Sequence, residues 1–289
     1  MKFSLKRTDL ALDIGLTRVR VFEAGKGVVL DVPVEDLVEE ASFRDRGERL
    51  AAVCREAFSR VGARGRFVSH VRRAVFSVPH GIGELQKRVY EDAGRRAGAS
   101  QVLLIESPMA AAIGAGLPVS KAKASFVVDV GASLIQAAAI SYAGIVAGRE
   151  TERTDKIAPE RVADLVRAVI SDCLAKGRCN LVDDIVERGV VLTGGGALTP
   201  GLAEDLQAAL NLPVRVAEDP LLSVILGEGV VLGELDNLSL SETKPQKDGT
   251  KPKTDWASLL IFGLVILTIL AQLFLLGGRI MGLVQKALR

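Results

Sequence analysis

Residues 190–202 read VVLTGGGALTPGL, and the interpretation of the whole chain starts from them. An apolar strand leads directly into Gly194, Gly195 and Gly196, and a helix capped by Thr199 is predicted to follow. Glycines at such a turn let the backbone approach a ligand closely, because they carry no Cβ atom. A helix N-terminus beside them favours anions. The same pattern also occurs as an ordinary tight turn, so its meaning depends on the rest of the chain.

A second pattern occurs twice. Residues 10–15 read LALDIG and residues 126–131 read FVVDVG, so Asp13 and Asp129 lie 116 residues apart, each near the end of an apolar strand. Each copy is followed by further strands and by helices, which predicts two similar α/β units with helix-covered sheets. Ten strands are predicted, at residues 10–15, 19–22, 28–30, 74–78, 101–105, 126–131, 135–140, 145–147, 190–192 and 214–216.

The composition changes abruptly towards the end of the chain. Residues 239–255 are polar and contain two prolines and four lysines, which predicts a flexible linker. Residues 256–278 carry no charge, and at about 1.5 Å per residue a helix of this length crosses a hydrocarbon core of roughly 30 Å. A single transmembrane helix is therefore predicted there. The predicted organisation is a first unit (1–122), a second unit (123–238), the linker (239–255), the transmembrane helix (256–278) and a short basic tail (279–289).

The net charge, the cysteines and residues 1–9 limit the cellular locations and the binding partners that we expect. The net charge of +2 gives no reason to expect nucleic-acid binding. The three cysteines lack the spacing of a zinc site or a disulfide framework, and His70 and His80 have no partner at metal-ligand spacing. Residues 1–9 lack the apolar core of a signal peptide. We therefore expect a single-pass protein of the inner (cytoplasmic) membrane, with its globular part in the cytoplasm.

The motifs together resemble those of the bacterial actin (MreB-like) family. The two Asp-x-Gly turns are similar to its phosphate motifs, and residues 192–196 are similar to its adenosine motif. Two longer runs are similar as well, LIESPMAAAIGAGLP at 104–118 and ERGVVLTGGGAL at 187–198. The resemblance covers roughly residues 8–235. It implies an α/β fold, an actin-like ATPase core of two duplicated RNase-H-like units.

The resemblance also implies a site between the two units. The candidate nucleotide contacts are the aspartates and glycines of the three motifs, namely Asp13, Gly15, Asp129, Gly131, Gly194, Gly195 and Gly196. Asp13 and Asp129 are the candidates to coordinate Mg²⁺ through water. ATP and Mg²⁺ are thus the cofactors that the family implies.

Several residues depart from the family pattern. Leu134 and Ile135 replace threonines of the second phosphate loop, and their side chains cannot hydrogen-bond to phosphate. The family glutamate that positions the attacking water falls on Ser107, which has no carboxylate to accept a proton. Glu106 remains as a catalytic candidate, but we expect it to point elsewhere because side chains alternate along a strand. These departures predict weak or no hydrolysis and no required cofactor.

The lengths of two connections are a further departure. In the family, small outer subdomains follow the third strand of each unit, wall the nucleotide cleft and make much of the filament contact. Between residues 30 and 73, and again between 140 and 190, the chain has too few residues for such a subdomain. Both outer subdomains are therefore predicted to be missing.

The sequence thus predicts a membrane-anchored, actin-like scaffold or adaptor that organises an envelope or cytoskeletal assembly, with cell shape as the expected process. The expected partners are the membrane, further copies of the chain in a dimer or filament, and other bacterial actin or envelope proteins. Two alternatives stay open at this point. One is an active polymerising ATPase of the same family, and the other is a peptide-binding adaptor that resembles PilM.

Overall fold

The computed structural model describes residues 7–37, 46–62, 70–154 and 156–242. The described strands are β1 (Arg7–Ile14), β2 (Arg18–Glu23), β3 (Gly27–Pro33), β4 (His70–Val78), β5 (Gln101–Glu106), β6 (Ser125–Val130), β7 (Leu134–Ser141), β8 (Gly144–Glu152), β9 (Val190–Thr193) and β10 (Val214–Val216). The described helices are α1 (Arg46–Gly62), α2 (Glu84–Arg96), α3 (Ser107–Gly114), α4 (Pro159–Ala175), α5 (Cys179–Arg188), α6 (Leu202–Leu210) and α7 (Ser223–Glu242). All ten predicted strands are present.

The strands form two five-stranded sheets with the same topology. Their orders are β3-β2-β1-β4-β5 and β8-β7-β6-β9-β10. In each sheet the first three strands are antiparallel, and the last two run parallel to the first. The register repeats with the same offset of 116 residues, because Leu12 pairs with Phe76 and Val128 pairs with Leu192. The predicted duplication is confirmed.

Helices cover both faces of the second sheet, which explains the unbroken apolar run at residues 126–128 of its central strand. Every residue of β6 is buried. Phe126 and Val128 belong to a cluster with α4 and α6, whereas Val127, on the opposite face, packs with Ala111 and Ala112 of α3. A strand covered on two faces has a continuous hydrophobic run instead of an alternating one.

The two units exchange their last helices. Helix α3 follows the first sheet in sequence but packs on β6 and β7, and α7 packs on β1, β2 and β4 of the first sheet. The two helices cross at Gly114 and Gly227. A Cβ atom on Gly114 would lie 1.8 Å from the carbonyl oxygen of Ser223, and one on Gly227 would lie 1.9 Å from that of Ala110. Only glycine fits this crossing, which ties the two units together.

Two local expectations are wrong. Helix α6 begins at Leu202 after Gly201, and Thr199 is extended rather than a helix cap. Gly201 takes the cap position with a φ of 80°, a left-handed conformation that glycine adopts without strain. Helix α7 continues to Glu242, so residues 239–242 of the predicted linker are helical. Neither glycine nor proline interrupts these residues, and Pro245 is the first helix breaker.

The predicted transmembrane segment, 256–278, lies outside the described residues, as do the rest of the linker and the tail. Within the four ranges that are described, no helix is long and apolar enough to cross a membrane.

Candidate functional site

The predicted motifs meet at one cleft between the two sheets, at the carboxyl ends of β1, β4, β6 and β9. The cleft has a volume of about 740 Å³. Six of the seven candidate contacts line it, namely Asp13, Gly15, Asp129, Gly131, Gly194 and Gly195, and so does Ser107. Gly196 is instead buried behind the turn.

The two Asp-x-Gly turns have the same geometry. The amide of Gly15 donates to the carbonyl oxygen of Arg18 at 3.0 Å, and the amide of Gly131 donates to that of Leu134 at 2.9 Å. Both turns therefore close on themselves and present the following residues to the cleft.

The three consecutive glycines have different roles. Gly194 has a φ of 80°, and a Cβ atom there would lie 2.5 Å from the carbonyl oxygen of Val130. A Cβ atom on Gly196 would lie 2.3 Å from Cγ1 of Val130. Gly195 is more open, with one side-chain atom of Leu221 at 3.4 Å. Packing thus requires Gly194 and Gly196, and Gly195 offers the closest backbone approach to a ligand.

Asp129 is held at the floor of the cleft by the second unit. The hydroxyl of Thr193 donates to Oδ1 of Asp129 at 3.1 Å. Burial, and after it the negative charge of nearby Asp13, raise the pKa of Asp129 to about 6, although the Thr193 hydrogen bond opposes the rise.

Asp13 faces a cation that the sequence-based prediction did not include. Nη1 of Arg20 donates to Oδ2 of Asp13 at 3.0 Å, and Nε of Arg20 lies 3.4 Å from Oδ1 of Asp31. The Arg20 side chain is only 11% exposed. Burial raises the pKa of Asp13, while the guanidinium of Arg20 opposes that rise. Strand register could have identified this cation, since Arg20 is the residue of β2 directly opposite Asp13.

Glu228 of α7 is a second acid that the sequence-based prediction missed. It is fully buried, and its Oε1 accepts a hydrogen bond from the amide of Ser77 at 2.6 Å. Its Oε2 has no hydrogen-bond partner among the described residues. Burial raises the pKa of Glu228 well above its ordinary value, and the negative charge of Asp13 adds to the rise. The neutral acid is therefore favoured. Its signal in the sequence is a lone charge between two glycines of an apolar run.

A family model described as MreB/Mbl protein matches residues 47–153 and 147–240. The chain belongs to the MreB/Mbl family. It is 28% identical to the cell shape-determining protein MreB of Escherichia coli K12 over 330 aligned positions, which cover 79% of this chain and 94% of the relative. It is 25% identical to the cell shape-determining protein Mbl of Bacillus subtilis, with 80% and 97% of the two chains covered. The alignment is 330 positions long, but this chain has only 289 residues and contributes 79% of them. Many positions of the E. coli MreB therefore have no counterpart here.

The fold is similar to solved structures of the same family. The crystal structure of MreB5 of Spiroplasma citri bound to ADP superposes with a TM-score of 0.64 at 18% identity, covering 83% of this chain and all of that one. At this identity the similarity establishes the actin-like fold alone.

Ser107 is the residue that the sequence resemblance matches to the family's water-positioning glutamate. Its hydroxyl donates to the carbonyl oxygen of Val78 at 3.0 Å. Oε1 of Glu106 lies 3.0 Å from Nδ1 of His80, so this carboxylate is engaged by a histidine. The structure thus places no carboxylate at the position of Ser107.

His80 connects the two units. Its backbone amide donates to Oε1 of Gln136 on β7 at 2.8 Å. Its ring lies against Gly148 on β8, where a Cβ atom would be 2.6 Å from Nε2. The bond to Glu106 raises the pKa of His80, and burial opposes the rise. Burial alone would raise the pKa of Glu106, but the bond to His80 leaves that pKa lowered.

The residues present do not fit the divalent cation that the MreB/Mbl family implies. Asp13, one of the two candidate ligands, already binds the guanidinium of Arg20, and a metal ion there would meet that positive charge. Over the ranges that the structure covers, no three acidic, histidine or cysteine side chains are grouped to hold a metal.

Proposed function

We propose that the chain is a membrane-anchored scaffold of the MreB/Mbl family that hydrolyses ATP weakly or not at all. The observation that carries this proposal is the hydrogen bond from the Ser107 hydroxyl to the carbonyl oxygen of Val78. It stands where a hydrolysing member of the family would hold a carboxylate.

Hydrolysis needs a group that accepts a proton from the attacking water. A neutral hydroxyl is a weak base, and that of Ser107 already directs its proton to the backbone. Glu106 points towards His80, and Asp13 is paired with Arg20. Both of these carboxylates are thus engaged in structural contacts.

The short connections support a scaffold built from the inner core. Between β3 and β4 the described residues contain a short 3-10 helix and α1, and between β8 and β9 they contain α4 and α5. We infer that the outer subdomains of the family are absent. Self-association as a dimer or filament would then use surfaces of the two central units.

We also propose that residues 256–278 anchor the chain in the membrane. The uncharged residues 256–278 are long enough to span the inner membrane, with the globular part on the cytoplasmic side. Confinement to a surface raises the effective concentration of neighbouring copies, so weak lateral contacts suffice for assembly. Other bacterial actins and envelope proteins are the expected partners.

Phosphate release by the full chain in lipid nanodiscs tests the loss of hydrolysis. We expect no release above background with ATP, and a hydrolysing bacterial actin serves as the positive control. Turnover at a rate normal for such actins would replace this proposal with the active-ATPase alternative. Cross-linking on vesicles without nucleotide tests assembly. A protein that stays monomeric there but captures a partner's cytoplasmic peptide would favour the adaptor alternative.

A further inference from the structure

The charged residues that line the cleft balance each other. The three cations are Arg18, Arg20 and Arg153, and the three acids are Asp13, Asp129 and Glu152. A site built for Mg²⁺ offers carboxylate oxygens whose negative charge the metal neutralises. Here fixed side chains already provide that neutralisation.

Arg20 has donor capacity to spare. A guanidinium carries five N–H donors, and one of those of Arg20 bonds to Asp13. Its Nε is buried and has no hydrogen-bond acceptor in the part of the chain that the structure covers, although Asp31 lies at ion-pair distance. Nε faces Asp31, so the donors that remain for an anion in the cleft are the other N–H groups of the two Nη atoms.

The second unit contributes a bend at Ala132 and Ser133 on the opposite side of the cleft. The backbone amides of Ala132 and Ser133 donate to no acceptor among the described residues, and consecutive amides of this kind are able to bind an anion. Nη1 of Arg153 donates to the carbonyl oxygen of Gly131 at 2.8 Å, which fixes a guanidinium beside this bend. Arginine suits phosphate because its planar fork can bond to two oxygens.

We propose that the cleft binds the phosphate chain of a nucleotide without a divalent cation, and that the Arg20 guanidinium supplies the positive charge beside Asp13. This inference rests on the proposed function only in taking the cleft as an inherited nucleotide site. It does not depend on the loss of hydrolysis.

Calorimetric titration of the full chain in nanodiscs with the nucleotide analogue AMPPNP tests the proposal, once with Mg²⁺ and once with EDTA. We expect the two dissociation constants to agree within about twofold. Arg20→Gln should weaken binding in EDTA by about tenfold or more, because a charged hydrogen-bond donor is lost, and added Mg²⁺ should recover part of the loss. Arg20→Lys keeps the charge and should stay independent of Mg²⁺.

Arg167→Gln is the matched control, because Arg167 is exposed on α4 and bonds to Asp164 and to the backbone of Ala209. Its affinity should equal that of the unaltered chain. An unaltered chain that binds about tenfold more tightly with Mg²⁺ would overturn the proposal. So would the absence of binding in both buffers, which would leave the scaffold function standing, since phosphate release and vesicle assembly test that separately.

Discussion

The two units share a backbone but differ in the side chains that they present to the cleft. With the offset of 116 residues, Asp13 and Asp129 are equivalent, and so are the residues that face them across the neighbouring strand, Arg20 and Gln136. Arg20 neutralises its aspartate. Gln136 instead accepts a hydrogen bond from the amide of His80 and leaves Asp129 to Thr193.

The exchanged helices differ in the same way. Glu228 of α7 is buried against the first unit and is equivalent to Ala112 of α3, which is buried against the second. The first unit therefore has both an additional cation, Arg20, and an additional acid, Glu228, near Asp13. A repeated backbone sets the shape of the cleft, whereas single side chains at repeated positions set its charge.

The largest effect is expected where the two units meet, at the helix crossing. Gly227→Val would place a Cβ atom 1.9 Å from the carbonyl oxygen of Ala110. Because backbone must move to accommodate it, we expect a loss of about 3 kcal/mol or more in the free energy of unfolding. Urea unfolding followed by circular dichroism measures the loss.

Gly233→Ala is the control in the same helix, since nothing lies within 4 Å of its Cβ position. It should change the free energy of unfolding by about 1 kcal/mol at most, in the stabilising direction. Equal losses for the two variants would show that the crossing does not hold the units together.

The helix crossing also shows which features of the fold could be predicted from the sequence and which could not. The repeated Asp-x-Gly strands predicted both sheets, because hydrophobic patterns and turns are local features of a chain. The contact between Gly114 and Gly227 was out of reach, since it joins helices that are more than a hundred residues apart. The site followed the same division. Its glycines and aspartates were visible as motifs, but Arg20 and Glu228 matter through strand register and helix packing.

Converting the first unit to the second tests their difference directly. Arg20→Gln installs the residue that the second unit has, and it leaves Asp13 without its cation. We expect a loss of about 2–3 kcal/mol in the free energy of unfolding near neutral pH, because a mostly buried charge loses its partner. Adding Asp13→Asn should recover much of the loss, and a double-mutant cycle from urea unfolding measures this coupling. Strictly additive losses would mean that the Arg20–Asp13 pair has no energetic role.

The glycine turn offers a smaller test within the second unit. Gly194→Ala combines a positive φ with a close approach to the backbone of Val130, and about 2 kcal/mol of destabilisation is expected. Gly195→Ala should cost less than about 0.5 kcal/mol, because its surroundings are open enough for a methyl group. Thermal unfolding of the two variants gives the comparison. A larger loss for Gly195→Ala would remove the assignment of Gly194 to packing.

The smallest expected effect concerns the bridge between the units. His80 is equivalent to Gly196, yet its ring crosses to the other unit and is faced by two carboxylates, Glu106 and Glu150. Folding raises the pKa of His80 above its unfolded-state pKa near 6.5. The stability that His80 contributes is therefore complete below pH 6.5 and is lost as the pH rises through the folded-state pKa. Folding lowers the pKa of Glu106 below its unfolded-state pKa near 4.5. The stability that Glu106 contributes is therefore complete above about pH 4.5 and is lost as the pH falls through the folded-state pKa.

The bridge should therefore stabilise the protein most between about pH 4.5 and 6.5, where both partners are charged. We expect His80→Gln to cost about 1 kcal/mol in this window, since the pair is only half-buried, and less above it. Urea unfolding across the pH range measures the difference. Gln136→Ala removes an uncharged contact of the same residue, so its cost should not vary with pH. A His80→Gln cost that is equally flat would show that His80 connects the units by shape and backbone contact, without its charge.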